Sequence, residues 1–453
     1  MHSRLSIIHL QPATRRAVGT LAPLLLAACV LTLAGQVEAT ESDTLVADLR
    51  AGQEVPPTPS GGRGCGVFRI DTVANTLSYY ISFSGLLGGP GDETGAHIHG
   101  FAPPGVNAGV VHPLPLGNPK VGVWNYPQAD EAAILDGRTY VNIHSNMFPG
   151  GEIRGQISSF MSPMDGFQEN PSVATTGSGW GVFVINTTAN TLRYHIVVES
   201  LGAGSMETAA HIHATAMHTV NAGVVHPLPA GSPKIGMWNY PEAMQAAILT
   251  GQTYVNVHTN NFPGGEIRGQ IVNIVAPMDG RQEVPPNAST GAGCTLCSLD
   301  VATDRLSYYV HYLGLTGPET ASHIHGYAPR GVNAGVVHPF PAGNPKKGIW
   351  NYPAANEPDI LAGRTYSNIH TAMFPGGEIR GQIEFPAGKP CGDFDGDGDV
   401  DLSDFTQFQL CFGGSNVPPA PTCPPGVDAD CDGDGDVDLS DFLQFQQSFT
   451  GSL

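Results

Sequence analysis

Three pairs of histidines set two residues apart, His97 and His99, His211 and His213, and His323 and His325, are the residues best suited to chemistry in this 453-residue chain. Two more follow each pair at constant spacing: His112 and His144, His226 and His258, His338 and His370. Twelve of the seventeen histidines thus form one fourfold set written three times. Imidazole is a ligand for late first-row metals, and three or four converging rings would hold copper or zinc. A second set is acidic. Asp393, Asp395, Asp397, Asp399, Asp401 and Asp404 stand at the alternate positions of a calcium loop turned by Gly398. Asp430, Asp432, Asp434, Asp436, Asp438 and Asp441 repeat it around Gly435. Calcium takes about six to eight hard oxygens, so the two loops predict about two bound ions.

The elements that must carry these residues are read from the text around them. VNAGVVHP starts at Val106, Val220 and Val332, Trp-Asn-Tyr-Pro at Trp124, Trp238 and Trp350, and FPGGEIRGQI at Phe148, Phe262 and Phe374. A period this long means tandem domains, not solenoid repeats. Segments such as 67–70, 76–83, 140–144 and 152–157 are short, partly alternating and bounded by Gly, Pro or Asn, which predicts strands. One short helix is expected over 128–135, closed by Asp136-Gly137. The fold class is therefore mainly β: three antiparallel sandwich or Greek-key barrel domains over 44–160, 161–275 and 276–387. A small helical, EF-hand-like calcium domain is expected over 391–453, with Phe405, Phe408 and Phe412 packing on Phe442, Phe445 and Phe449. On a strand His97 and His99 face one side together, with His144 near the end of another strand and His112 on a loop between them. A second reading stays open, in which these histidines bond backbone carbonyls at turns and Glu54, Glu152 and Arg154 complete a structural polar network.

Charge and cysteines bound the setting. The net charge is −20, and from Cys391 onward there are thirteen Asp and no Glu, Lys or Arg. No basic patch suggests a nucleic-acid partner. Residues 1–39 read as a cleaved secretory signal: Arg4, Arg15 and Arg16, then an apolar run from Val18 to Leu33, then Val37-Glu38-Ala39. A lipoprotein box at Cys29 and twin-arginine export through Arg15-Arg16 are the alternatives. No later stretch is long enough to span a bilayer, so the mature chain is expected outside the cytoplasm. Cys391, Cys411, Cys423 and Cys431 could form two disulfides, in three possible pairings, of which Cys411 with Cys423 would close the Pro-rich connector. Cys294-Thr295-Leu296-Cys297 has redox or zinc spacing but falls on a strand whose other copies carry no second thiol.

Gln53-Glu54-Val55-Pro56-Pro57, the A-H-I-H-G around His97, Y-V-N-I-H at Tyr140 and P-G-G-E-I-R-G-Q-I at Pro149 resemble the CHRD domain, the module named for chordin and found in bacterial exported proteins. In chordin the modules belong to an extracellular binder of growth factors. The duplicated D-x-D-G-D-G-D-V-D-L-S-D-F segment resembles a type I dockerin, which implies calcium-dependent folding and docking to a cohesin module. Leu402-Ser403 and Leu439-Ser440 depart from the Ser-Thr pair used for cohesin binding. No G-x-S-x-G elbow is present, and Glu54 with Glu152 lacks the context of a glycosidase. The reading is a secreted binding or adhesion protein for an extracellular protein or glycan, with a calcium-stabilised docking tail. The alternatives are a secreted metalloprotein with one copper or zinc site per domain, or an accessory component of an extracellular polysaccharide-degrading assembly.

Overall fold

The computed structural model describes residues 44–385 apart from 90, and, in the tail, residues 392, 394, 400–415, 417–424, 427, 429 and 437–448. The first module is built from β1 (Thr44–Arg50), β2 (Arg63–Asp71), β3 (Thr76–Ser84), β4 (Glu93–Gly100), β5 (Gly109–Pro113), β6 (Lys120–Asn125), β7 (Thr139–Ser145) and β8 (Ile153–Ile157). They form one antiparallel sheet in the order β5-β4-β7-β8-β1-β2-β3-β6. Alternation drives the pairing: along β3, Leu77, Tyr79, Ile81 and Phe83 are buried and join Phe68, Ile98, Trp124 and Ile143 in one core. A short α1 (Glu131–Leu135) follows a 3-10 turn at 128–130 and ends at Gly137, whose φ of 68° suits glycine.

The sequence left a two-sheet sandwich and a barrel open. Each module is one curled, barrel-like sheet, and its two edge strands meet over the core. His112 of β5 stacks on Trp124 of β6 with centroids 5.8 Å apart. Across the same seam the fully buried Lys120 of β6 pairs with Glu93 of β4 and donates to the carbonyl of Pro115 at 2.9 Å. A buried ammonium persists only when so partnered. The repeats copy the arrangement, with Lys234 on Glu207 and Lys346 on Glu319.

The second module runs through β9 (Phe160–Asp165), β10 (Ser178–Asn186), β11 (Thr191–Ser200), β12 (Glu207–Ala214), β13 (Gly223–Pro227), β14 (Lys234–Asn239), β15 (Thr253–Thr259) and β16 (Ile267–Ile271). The third runs through β17 (Ile274–Asp279), β18 (Ala292–Asp300), β19 (Arg305–Leu313), β20 (Glu319–Gly326), β21 (Val336–Pro339), β22 (Lys346–Asn351), β23 (Thr365–Thr371) and β24 (Ile379–Ile383). Both sheets keep the strand order of the first, and the helices α2 (Gln245–Leu249) and α3 (Glu357–Leu361) match α1.

The modules close into a ring through equivalent surfaces. Tyr80 of the first donates to Asp279 of the third at 2.7 Å. Tyr309, the same position in the third, donates to Asp165 of the second. At the remaining junction His195 replaces the tyrosine, and Arg50 instead donates to Gly179 O at 2.8 Å and pairs with Glu199 at 3.2 Å. A second apolar cluster fills the junction with Val46 and Cys65, Met161 and Val272, and Val275, Cys294, Leu296 and Tyr309. This explains why every residue of β1 is buried: one face looks into its own module and the other into the ring. Cys65 is disulfide-bonded to Cys294, with Cα atoms 6.3 Å apart. Cys297 is a buried free thiol. Being three residues along a strand, it faces away from Cys294, so the Cys-x-x-Cys text is not a redox or zinc pair.

In the tail, α4 (Leu402–Cys411) and α5 (Leu439–Ser448) pack through Phe405 on Phe442 and Phe408 on Phe445, with centroids 5.7 and 5.5 Å apart. Cys411 is bonded to Cys423. The expected ligands Asp393, Asp395, Asp397, Asp399, Asp430, Asp432, Asp434 and Asp436, and also Cys391, Cys431 and Phe449, lie outside the described residues. Asp401 caps α4, accepting from Ser403 N at 2.6 Å, while the buried Asp404 accepts from Phe394 N at 2.6 Å and Asp401 N at 2.9 Å. Asp441 accepts likewise from Asp438 N at 2.7 Å.

Candidate functional site

The register of β4, β5 and β7 decides which histidines meet. His97 and His99 stand opposite Asn142 and Tyr140 of β7, and cross-strand partners share a face. Tyr140, Asn142 and His144 therefore lie on the same side as the histidine pair. Ile98, between the pair, stands opposite His112 of β5. His112 thus points to the other side, into the core against Tyr79 and Trp124. His226 and His338 do the same. The third histidine of each set, His112, His226 or His338, does not join the cluster, and it sits on a strand rather than on the expected loop.

The other three converge in every module. One ring nitrogen from each of His97, His99 and His144 lies within 4.8 Å of the others, as do those of His211, His213 and His258, and of His323, His325 and His370. His97 Nδ1 stands 3.1 Å from His144 Nε2, and His323 Nδ1 3.3 Å from His370 Nε2. Two of the three rings in each module are also tied to the backbone through Nδ1. His99 Nδ1 donates to Ala108 O at 2.9 Å, and His144 Nδ1 donates to Pro149 O at 3.0 Å. His213 and His325 use Ala222 and Ala334, while His258 and His370 use Pro263 and Pro375. Burial lowers the pKa of His97, His99, His211, His213, His323, His325 and His370 from 6.5, which favours neutral imidazole.

The cluster has a stacked foundation. His99 lies on the Tyr140 ring, centroids 5.0 Å apart and 12° from parallel, and the Arg154 guanidinium lies 3.4 Å from the Tyr140 ring centroid. The same stack recurs with His213, Tyr254 and Arg268, and with His325, Tyr366 and Arg380. The sequence reading passed over these tyrosines, although the alternation in Tyr-Val-Asn-Ile-His places tyrosine and histidine on one face. Beside the stack, Glu54 is buried and faces Asn142, with Asn142 Nδ2 at 3.4 Å. Gly151, at φ 129°, passes so close that a Cβ there would lie 2.6 Å from Glu54 Oε1, which accounts for the Gly-Gly-Glu text. Glu152 belongs elsewhere: it accepts from Ser60 Oγ at 2.5 Å and Leu87 N at 2.7 Å, and holds the loops.

The carboxyls of Glu54, Glu169 and Glu283 are each pushed up to about 7 by burial, against the pull of Arg154, Arg268 and Arg380. Each folded carboxyl keeps its proton up to about pH 7, whereas the unfolded one releases it near 4.5. The folded state thus binds more protons in that window, and these groups make stability fall as pH rises through it. Buried histidines act in the opposite sense, with His218 lowered to about 3 and His311 to about 4. The carboxyl share is therefore read as a difference. Urea midpoints of a Glu54→Gln, Glu169→Gln, Glu283→Gln variant should gain on the parent chain as pH rises from 4.5 to 7, and a pH-independent difference would refute the assignment.

Residues 45–157, 160–271 and 274–383 each match the CHRD domain. The chain belongs to the CHRD domain family. Chordin of Xenopus laevis is 27% identical to it across 43% of this chain and 23% of chordin. The CHRD chain therefore spans about a quarter of the length of that relative. No solved structure matches it. Among the described residues, no helix is long and apolar enough to cross a membrane.

Proposed function

We propose that this CHRD protein is an exported, multivalent binding protein whose ring of three modules engages an extracellular protein or glycan. The observation that carries the reading is the closed ring. Three related modules are locked by Cys65–Cys294, Tyr80–Asp279 and Tyr309–Asp165, so their equivalent surfaces are held at fixed separations. Fixed separations turn weak single contacts into avidity, because the second and third contacts form at high effective concentration. Membership of the CHRD family and the likeness to chordin support the same class of function, and the disulfides fit an oxidising compartment.

The tail is a calcium-dependent docking element in this reading. The duplicated acidic loops, Asp401 through Asp404 and Asp438 through Asp441 at the start of each helix, and the phenylalanine contact between helices support it. A cohesin-like module is the docking partner that the dockerin resemblance implies, and it would place the chain in a polysaccharide-degrading assembly. The test uses the mature chain and the envelope of the producing cells. Saturable retention is expected, part of it lost in EGTA and in an Asp395→Ala, Asp432→Ala variant, with about two calcium ions bound per chain. Absence of saturable retention with calcium present would overturn the binding reading, and retention indifferent to EGTA would remove the tail from it.

A further inference from the structure

We propose that each module also holds one divalent late first-row metal ion on three imidazole nitrogens: His97, His99 and His144 in the first, His211, His213 and His258 in the second, His323, His325 and His370 in the third. This goes beyond the binding reading and stands independently of it.

The tautomers carry the argument. A carbonyl oxygen only accepts, so the bonds from His99 Nδ1 to Ala108 and from His144 Nδ1 to Pro149 put the proton on Nδ1. The lone pair is left on Nε2, which points into the cluster. Metal-bound histidines are oriented in this way, with the outer nitrogen donating to a carbonyl or carboxylate. His97 Nδ1 and His144 Nε2, like His323 Nδ1 and His370 Nε2, stand within hydrogen-bond distance of each other, but a purely structural cluster would give every inner nitrogen a partner. Instead His99 Nε2, His213 Nε2, His258 Nε2, His325 Nε2 and His211 Nδ1 are buried with no hydrogen-bond partner. Buried polar atoms are partnered in the great majority of cases, and the Nε2 of His99, His213 and His325 is left open in all three copies.

Spacing and donor type agree. Nitrogens about 2.0–2.1 Å from a tetrahedral ion stand about 3.3 Å apart. The 3.1 and 3.3 Å separations of His97 from His144 and of His323 from His370 are already at that value. The donor set is all imidazole, without carboxylate or thiolate, which suits copper, zinc or nickel and not calcium or magnesium. Copper(II) should bind most tightly, following the general order of divalent affinities. Three protein donors leave a position open for water or a small ligand. In the third module His323 also lines a cleft of about 460 Å³ shared with Tyr312, Glu319 and Asn344, which gives that ion a route to solvent. The foundation of His99 on Tyr140 and Arg154 fixes the ring before any ion arrives.

The test is metal titration of the untagged mature chain, stripped by chelator and returned to calcium so that the tail is loaded. With copper(II) alone, and separately zinc(II) alone, three equivalents per chain are expected beyond the calcium. Copper should give one EPR signal with nitrogen hyperfine structure, since the sites are alike. His97 is the ligand not tied to a carbonyl, so His97→Gln, His211→Gln and His323→Gln are the substitutions least able to disturb the fold. Each should remove one equivalent, or weaken it at least tenfold, with an unchanged circular dichroism spectrum. A parent chain that takes up no copper or zinc, or a folded triple variant that still takes up three equivalents with the parent's EPR signal, would overturn the proposal. Neither result would touch the retention assay, so the two readings fail separately.

Discussion

Replacing Cys65 and Cys294 together by serine is expected to cost the mature chain about 5 kcal/mol of stability, from the loop-closure entropy of a very long crosslink. The bridge joins residues 229 apart, whereas Cys411–Cys423 spans 12, for which the same relation gives about 3 kcal/mol. The difference comes from the unfolded chain, because the longer loop excludes more conformations. The bridge also has an architectural effect. Position 65 in the first module corresponds to Trp180 in the second and Cys294 in the third, so only one covalent link can form in the ring. The other junctions rest on polar contacts such as Tyr309 to Asp165 and Arg50 to Glu199. Urea unfolding followed by the four tryptophans should shift to a lower midpoint in the double variant and split into separate module transitions. An unchanged midpoint would mean that the buried junction alone holds the ring. The double variant is needed because a single one would leave an unpaired buried thiol at Cys65 or Cys294.

How much of this was legible in the sequence depends on range. The three modules, the short helix before Gly137 and the strand-borne histidine pairs are local or periodic features, and they could be read directly, whereas Cys411–Cys423 was one of three pairings that the sequence left open. Local alternation also predicts that His97, His99 and His144 share a face once β4 and β7 pair. The exclusion of His112 could not be read, because it depends on register: β5 pairs so that His112 opposes Ile98 rather than a histidine, with a bulge immediately beyond. A one-residue slip would have put it in the cluster. The ring was equally hidden. Tyr80, Asp279 and Cys294 are ordinary strand residues until modules one and three meet, and nothing in a repeat says which copy its neighbour will be. β1 shows why: Thr44, Asp48 and Arg50 alternate with Leu45, Ala47 and Leu49 as in a strand with one wet face, yet every residue from Thr44 to Arg50 is buried once the modules meet.

The second large effect is expected at Arg154, or at Arg268 and Arg380 in the other modules. Arg154 is 1% exposed. Its guanidinium donates to Val106 O at 3.0 Å and Gln156 Oε1 at 3.1 Å while covering the Tyr140 ring. Arg154→Ala removes a buried cation from between Glu54 and Tyr140 and leaves those acceptors without a donor. Breaking such a buried network costs about 3–5 kcal/mol. Arg154→Lys keeps the charge but loses the planar stack and the fork of donors, so its loss should fall between that of the alanine variant and zero. The ordering distinguishes stacking from charge, since a purely coulombic role would make lysine equivalent to arginine. Because Tyr140 supports His99, the alanine variant should also lose its local metal equivalent while the other two modules keep theirs. Urea unfolding and copper titration of the same variant measure both consequences, and a stability loss below about 1 kcal/mol would show that the stack does not hold the module together.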